Sequence, residues 1–152
     1  MFEVRNLSSA YGQSEVLHGI DLSVAQGEIV ALVGRNGMGK STLMKSLIGV
    51  MPARAGQIMV DGADVTALAS NPKVLLLDEP TEGIPPSIIT DIARLLRDIR
   101  SVRNLCIVVC EQLLSFVLDV ADRILVMEGG RIVHTDTREH VDEAAIARFL
   151  AV

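Results

Sequence analysis

Short apolar runs alternate with amphipathic stretches along the chain. Residues 74–77 form a continuous apolar run of strand length, which is typical of a parallel-sheet strand that is buried on both faces. Apolar positions over residues 85–100 instead recur at helical spacing, and they form a stripe of Ile88, Ile89, Ile92, Leu95, Leu96 and Ile99. Strands that alternate with helices predict an α/β fold with a mostly parallel core sheet.

The same pattern gives the order of the elements. No helical pattern separates the opening strands from the strand near Gln57, so we expect these strands to form a small antiparallel layer beside the core sheet. The predicted strands are Phe2–Leu7, Ile20–Val24, Ile29–Val33, Gln57–Val60, Val74–Leu77, Leu105–Val109, Arg123–Met127 and Ile132–Val133. The predicted helices cover Lys40–Ile48, residues 85–100, Leu113–Ala121 and Val141–Leu150.

Composition adds constraints on the class of protein. A chain of 152 residues with 49% hydrophobic residues can form one domain with a substantial core. The mean hydropathy of +0.40 is high, yet the apolar runs are too short for a membrane-spanning helix. The excess of apolar residues therefore indicates either a hydrophobic partner surface or a core without its full cover. A net charge of −5 argues against a general nucleic-acid binder.

Two further features concern the compartment. Cys106 and Cys110 lie on one predicted strand with even spacing, so both side chains point to the same face, as expected for reduced core cysteines of a cytosolic protein. The first residues lack a charged segment followed by an apolar one, so we expect no export signal.

The most specific motif is a phosphate-binding P-loop. Residues 34–41 read Gly-Arg-Asn-Gly-Met-Gly-Lys-Ser, between a predicted strand and a predicted helix. Backbone N–H groups of such a loop, together with the N-terminus of the following helix, cradle phosphates. Lys40 is expected to reach the β- and γ-phosphates, and the hydroxyl of Ser41 to ligate Mg²⁺.

A pair of acidic residues follows the apolar strand Val74–Leu77. Asp78 is placed to hold Mg²⁺, and Glu79 is the candidate to polarise the attacking water. Taken alone, these two residues could equally be an acidic strand end before a turn. The complete P-loop in the same chain favours the catalytic interpretation.

These residues resemble the ATP-binding subunits of ABC transporters. Tyr11-Gly12 with Val16-Leu17 looks like the aromatic adenine-stacking loop of that family, and Val74–Pro80 like its Walker B strand with the catalytic glutamate. Gln112 occupies the switch position, where most members have histidine; it can donate a hydrogen bond to a phosphate or to water but cannot act as an acid or base. The resemblance implies these nucleotide-binding residues: Tyr11, Val16, Gly34, Arg35, Asn36, Gly37, Met38, Gly39, Lys40, Ser41 and Thr42.

The resemblance also implies a setting. Glu111-Gln112 is similar to the branched-chain amino acid group of importers, and the P-loop with Asp78–Ile84 is closest to the urea and short-chain amide members of that group. ATP and Mg²⁺ are the implied cofactors. The implied partners are a second ATP-binding subunit, in a homo- or heterodimer, and a membrane permease that holds the chain at the cytoplasmic face of the cell membrane.

One part of the family pattern is missing. The chain is expected to be a single nucleotide-binding domain over residues 1–152, with a discontinuity near 66–71, where the family has a glutamine loop, a helical subdomain and a signature motif. Two hypotheses remain open: an importer ATPase, whose missing stretch is only absent from the sequence as given, and an ATP-binding remnant without efficient turnover. A GTPase or a nucleoside kinase is disfavoured, because no guanine-reading motif and no arginine-bearing lid is recognisable.

Overall fold

An antiparallel sheet of four strands opens the chain. In the computed structural model, which describes residues 1–65 and 73–151, β1 (Phe2–Tyr11) pairs with both β2 (Ser14–Val24) and β4 (Ala55–Val60). The short strand β5 (Ala63–Val65) extends the sheet beyond β4. This confirms the predicted antiparallel layer. β5 was not predicted, because three residues are too few to show an alternating pattern.

A second sheet of five strands forms the centre of the fold. The strand β3 (Ile29–Val33) is fully buried and pairs in parallel with β7 (Cys106–Cys110) and β8 (Arg123–Glu128). On the other side of β7, β6 (Val74–Asp78) pairs with it in parallel. β9 (Arg131–Thr137) pairs with β8 and is the one antiparallel strand of this sheet among the described residues, so the order is β6-β7-β3-β8-β9. The α/β fold class predicted from the sequence is confirmed.

In the part of the chain that the structure describes, four helices cover the central sheet. Their bounds are α1 (Lys40–Leu47), α2 (Pro86–Arg103), α3 (Leu114–Val120) and α4 (Glu143–Leu150). On one face, α1 and the antiparallel sheet enclose the largest core cluster; on the other face, α2, α3 and α4 cover the strands. Cys106 and Cys110 are both free and buried in the cluster under the antiparallel sheet, as their even spacing predicted.

The strand β6 differs from its prediction. Its four apolar residues, 74–77, are only partly buried, whereas the continuous apolar pattern predicted burial on both faces. The sheet order gives the reason, because among the described residues β6 is the outermost strand and pairs with β7 alone. The predicted discontinuity near 66–71 lies within residues 66–72, outside the described residues.

The apolar stripe of α2 also divides into two. Ala93 and Leu96 are buried against the sheet, whereas Ile88, Leu95 and Val102 are exposed. The exposed fraction of the residue is 47% for Ile88, 55% for Leu95 and 81% for Val102, so one longitudinal face of α2 presents apolar residues to solvent. This face accounts for part of the high mean hydropathy. Within the described ranges, no helix is both long and apolar enough to cross a membrane.

Candidate nucleotide site

The P-loop joins the carboxyl end of β3 to the start of α1. Gly37 and Gly39 have φ angles of 80° and 105°, which glycine adopts readily and other residues rarely do. Gly34 is required for a different reason: a Cβ atom at this position would lie 2.4 Å from the carbonyl oxygen of Met127 in β8. The loop can therefore pass close to the end of the neighbouring strand only because residue 34 has no side chain.

Lys40 is the first residue of α1 and is buried. Its Nζ donates hydrogen bonds to the carbonyl oxygens of Gly34 (2.6 Å) and Arg35 (3.1 Å). A buried ammonium needs such acceptors, because an unpaired charge in this position would be costly. The side chain of Lys40 thus stabilises the P-loop by hydrogen bonds to its backbone.

A cavity of about 130 Å³ lies on the helix side of the loop. Val16 of β2 and Glu79, which follows β6, line the cavity together with six residues of the P-loop and α1. These six are Asn36, Gly37, Gly39, Lys40, Ser41 and Thr42. The structure therefore brings together, around one small cavity, side chains that lie up to 63 positions apart in the sequence, from residue 16 to residue 79.

Four predicted nucleotide-binding residues lie outside that lining: Gly34, described above, and Tyr11, Arg35 and Met38. Tyr11 is at the end of β1, is half exposed, and has Ser14 as its pairing partner across the hairpin. Arg35 lines an adjacent cavity with Asn36 and Gln112. Met38 contributes its carbonyl oxygen, which accepts a hydrogen bond from the N–H of Gly130 at 3.0 Å. The structure thus places Val16, but not Tyr11, at the lining of the P-loop cavity.

Glu79 and Gln112 are in direct contact. The Nε2 of Gln112 donates to Oε1 of Glu79 at 2.6 Å and to Oδ1 of Asn36 at 2.9 Å. One amide group therefore bridges the P-loop and the candidate catalytic carboxylate. Glu79 also has a φ angle of 47°, a left-handed conformation that is uncommon for a residue other than glycine. Backbone strain of this kind is found preferentially at functional sites.

The site offers hard oxygen donors for a cation. Asp78 is exposed at the end of β6, and no described residue gives its carboxylate a hydrogen bond or an ion pair; the hydroxyl of Ser41 is exposed at the cavity. Among the described residues, no three His, Cys, Asp or Glu side chains converge on a metal position. This donor set fits Mg²⁺, which is commonly held by one or two carboxylates together with phosphate and water oxygens.

The cluster of charges affects the thiol beneath it. Cys110 ends β7 and is fully buried. Burial is the main cause that raises the pKa of the Cys110 thiol far above its usual range, and the negative charge of Asp78 adds to it. Lys40 acts in the opposite direction. Cys110 therefore remains a neutral thiol in the core, at the end of β7.

Two buried polar residues belong to the same region but were not predicted as site residues. Glu111 follows β7 and is 4% exposed, and Thr81 lies in the loop after β6 and is 7% exposed. Their side chains are joined by a hydrogen bond of 2.6 Å from Oγ1 of Thr81 to Oε2 of Glu111. The available signal was positional, since both follow parallel strands, whose carboxyl ends meet at one edge of the sheet.

Comparison with protein families supports a nucleotide-binding assignment. Residues 17–67 match the family model described as ABC transporter. This segment contains the P-loop and ends close to the position of the predicted discontinuity.

Curated relatives are ATP-binding proteins of import systems. The chain is 26% identical to the high-affinity branched-chain amino acid transport ATP-binding protein BraG of Pseudomonas aeruginosa, over 90% of this chain and 93% of BraG. It is 26% identical to the methionine import ATP-binding protein MetN of Burkholderia thailandensis, over 88% of this chain and 64% of MetN. A 62-residue segment is 52% identical to the ribose import ATP-binding protein RbsA 2 of Escherichia coli O157:H7, and it spans only 12% of that protein.

Solved structures share the fold. A nucleotide-free ATP-binding cassette from an ABC transporter superposes with a TM-score of 0.84 at 18% identity, over 99% of this chain and 94% of the other. The ADP conformation of an ATP-binding cassette gives a TM-score of 0.83 at 18% identity, again over 99% and 94%. The family model and the curated relatives thus make the chain similar to ATP-binding proteins of ABC transporters, and the solved structures show that it shares the fold of their ATP-binding cassettes.

Proposed function

We propose that this chain binds ATP and Mg²⁺ at the P-loop and hydrolyses ATP as the ATP-binding subunit of an ABC-type importer. The observation that carries the proposal is the shared cavity: Glu79 lines the same small cavity as Lys40 and Ser41. A carboxylate beside a phosphate-binding loop is placed to act on a water at the γ-phosphate.

The roles of the residues follow from their chemistry. The P-loop amides and Lys40 bind and orient the phosphates, and Ser41 with Asp78 would hold Mg²⁺, which neutralises charge on the phosphate oxygens. Glu79 accepts a proton from the attacking water or polarises it. Gln112 has no titrating group, so its role is to orient Glu79 or a phosphate oxygen through its amide. Tyr11 is proposed to stack on adenine from the end of β1.

The first test separates binding from turnover. Lys40→Ala should abolish binding of a fluorescent ATP analogue, because the main cation of the loop is lost. Glu79→Gln preserves the size of the side chain and the acceptor for Gln112, so it should retain binding and lose phosphate release. Glu82→Gln is the matched control, since Glu82 is an exposed carboxylate three positions further along the same loop. Unchanged phosphate release in Glu79→Gln would contradict the catalytic assignment.

The alternative function, ATP binding without efficient turnover, is favoured by one observation. The alignment with BraG extends over 217 positions, more than the 152 residues of this chain, so BraG contains residues that have no counterpart here. We propose that the additional residues of BraG belong at the discontinuity near 66–71, and that residues 1–152 on both sides of it form a single nucleotide-binding domain. Intact mass of the purified natural protein tests this: a mass near 16.3 kDa supports the remnant, and a mass several kilodaltons higher supports the complete importer ATPase.

The substrate and the assembly are also proposals. We assign the chain to the branched-chain amino acid, urea and short-chain amide group of importers. The assignment is supported by the similarity to BraG, which extends over most of both chains, and by the residue pair Glu111-Gln112. A second ATP-binding subunit and a membrane permease are its proposed partners, at the cytoplasmic face of the membrane. Uptake of labelled urea and leucine by cells with and without an intact copy of the corresponding gene would distinguish the substrates.

A further inference from the structure

Glu111 is a charged residue in a buried position. Its carboxylate is 4% exposed and receives four hydrogen bonds. Oε2 accepts from Oγ1 of Thr81 at 2.6 Å and from the N–H of Thr81 at 3.3 Å. Oε1 accepts from the N–H groups of Gln112 at 2.7 Å and Leu113 at 3.2 Å. Two donors on each oxygen offset the cost of burying the charge.

The four donors come from two different loops. Thr81 belongs to the loop after β6, which carries Glu79, whereas Gln112 and Leu113 belong to the loop after β7. The loops meet a second time through the side chains of Gln112 and Glu79. Glu79, Thr81, Glu111 and Gln112 therefore form a closed ring, in which the carboxylate of Glu111 is the buried link.

We propose that Glu111 is a positioning residue for ATP hydrolysis, because its carboxylate fixes the loop of Gln112 against the loop of Glu79 and so sets the contact between their side chains. This inference rests on the proposed ATPase function. Apart from this link, the hydrogen bonds of the described residues join the two loops through Gln112 and Glu79, and the N–H of Glu79 donates to the carbonyl oxygen of Cys110 at 2.9 Å. Misplacement of a reacting group by about 1 Å can cost about 100-fold in rate.

The main variant acts on the link without touching Glu111. Thr81→Val keeps the shape of the side chain and removes its hydroxyl, and with it the 2.6 Å hydrogen bond. We expect kcat to fall by about 10- to 100-fold with KM for ATP within about twofold, because the phosphate-binding loop is unchanged. Thr81→Ser restores the hydroxyl and should recover most of kcat. Glu111→Gln should give a larger loss of kcat; if that variant fails to fold, the threonine pair still decides.

A second measurement shows whether the effect passes through Gln112. In a Gln112→Ala background, Thr81→Val should cause little further loss of kcat, because the contact that it positions is already absent. A full additional loss in the double variant would mean that Thr81 and Glu111 act independently of Gln112, and it would overturn the inference. A fall in kcat with an equal rise in KM, in proportion to the loss of stability, would also overturn the inference.

The third measurement does not depend on turnover. In the wild type, the side-chain amide protons of Gln112 should have NMR shifts that differ from those of a solvent-exposed glutamine. In Thr81→Val these shifts should move toward the values of an exposed glutamine, while the backbone signals of the remaining fold persist. If the wild type has no ATPase activity but these signals move, the proposed function fails, and Glu111 orders Gln112 without a role in hydrolysis. If the wild type is active and neither kcat nor these signals change in Thr81→Val, the positioning role fails and the proposed function stands.

Discussion

The turn between β8 and β9 allows a sharp test of how the P-loop is supported. Gly129 and Gly130 form this two-residue turn, with φ angles of 51° and 73°, as a type I′ hairpin requires. The N–H of Gly130 donates to the carbonyl of Met38 in the P-loop at 3.0 Å, and its carbonyl accepts from the N–H of His18 at 3.0 Å. A Cβ atom at residue 130 would lie 1.8 Å from the carbonyl oxygen of Val16. Gly130 therefore holds the turn against both the P-loop and β2.

Replacement of Gly130 by alanine should destabilise the protein by about 2–5 kcal/mol. The left-handed conformation costs a residue with a side chain about 1–2 kcal/mol. The contact with Val16 involves backbone atoms, so the turn must move away, and the two hydrogen bonds to Met38 and His18 would each lose about 0.5–1.5 kcal/mol. Because the turn then no longer holds Met38, affinity for an ATP analogue should fall as well.

Gly129→Ala is the matched control. Gly129 has the same sign of φ, but a Cβ atom there meets nothing within 4 Å. It should cost only the backbone term, about 1–2 kcal/mol, and leave nucleotide affinity unchanged. Urea unfolding followed by circular dichroism gives both free energies of unfolding. Equal destabilisation by the two substitutions would refute the argument that the close approach to Val16, rather than the φ angle, makes glycine necessary at residue 130.

Three further predictions concern other parts of the chain. Asp61 contacts Lys73 and the N-terminal ammonium, and both lower the pKa of its carboxyl from an ordinary 3.8 to about 2. Between pH 4 and pH 2 the unfolded chain therefore binds more protons than the folded one, so the free energy of unfolding should fall as the pH falls through this range. The fall should be smaller in Asp61→Asn, which has no carboxyl at this position. Leu96→Ala should cost about 2–5 kcal/mol because Leu96 is 4% exposed, whereas Leu95→Ala, on the solvent-facing stripe, should cost little more than 0.5 kcal/mol; similar losses in urea unfolding would contradict the burial difference. The buried thiol of Cys110 should resist alkylation at pH 8.5 in the native protein and react in 8 M urea, and rapid native labelling at that residue, mapped by mass spectrometry, would contradict its protonated, enclosed state.

Local patterns predicted the centre of the fold and the phosphate loop. The P-loop is a contiguous motif, so residues 34–41 could be identified without knowing their neighbours in space. The strand β3 was also identified correctly, since a run of five buried apolar residues has a clear pattern.

The pattern failed at β1, which extends from residue 2 to residue 11. Ser9 lies in its second half and is fully buried, with a 2.8 Å hydrogen bond to Ser46. A buried serine with a distant partner has the same sequence signal as an exposed one.

The remaining features depend on which segments meet. The apolar run of β6 could not reveal that the strand lies at the edge of the sheet, because burial depends on the strand beside it and not on its own residues. The same holds for Glu111. An acidic residue at a strand end is usually solvated, and two of the four donors that make the burial of Glu111 possible come from Thr81, which is 30 positions away in the sequence.

The amide of Gln112 contacts both the P-loop and Glu79. Its Nε2 carries two hydrogen atoms, and both are donated, one to Asn36 of the P-loop and one to Glu79. A phosphate oxygen that takes a hydrogen bond from this nitrogen must replace one of these two acceptors. If it replaces Glu79, the carboxylate is released to accept a hydrogen bond from water; if it replaces Asn36, the carboxylate stays held while the P-loop side chain is freed. Because glutamine cannot take up a proton, either exchange changes hydrogen bonds without changing charge, and Glu79 remains the only proton acceptor among these three side chains.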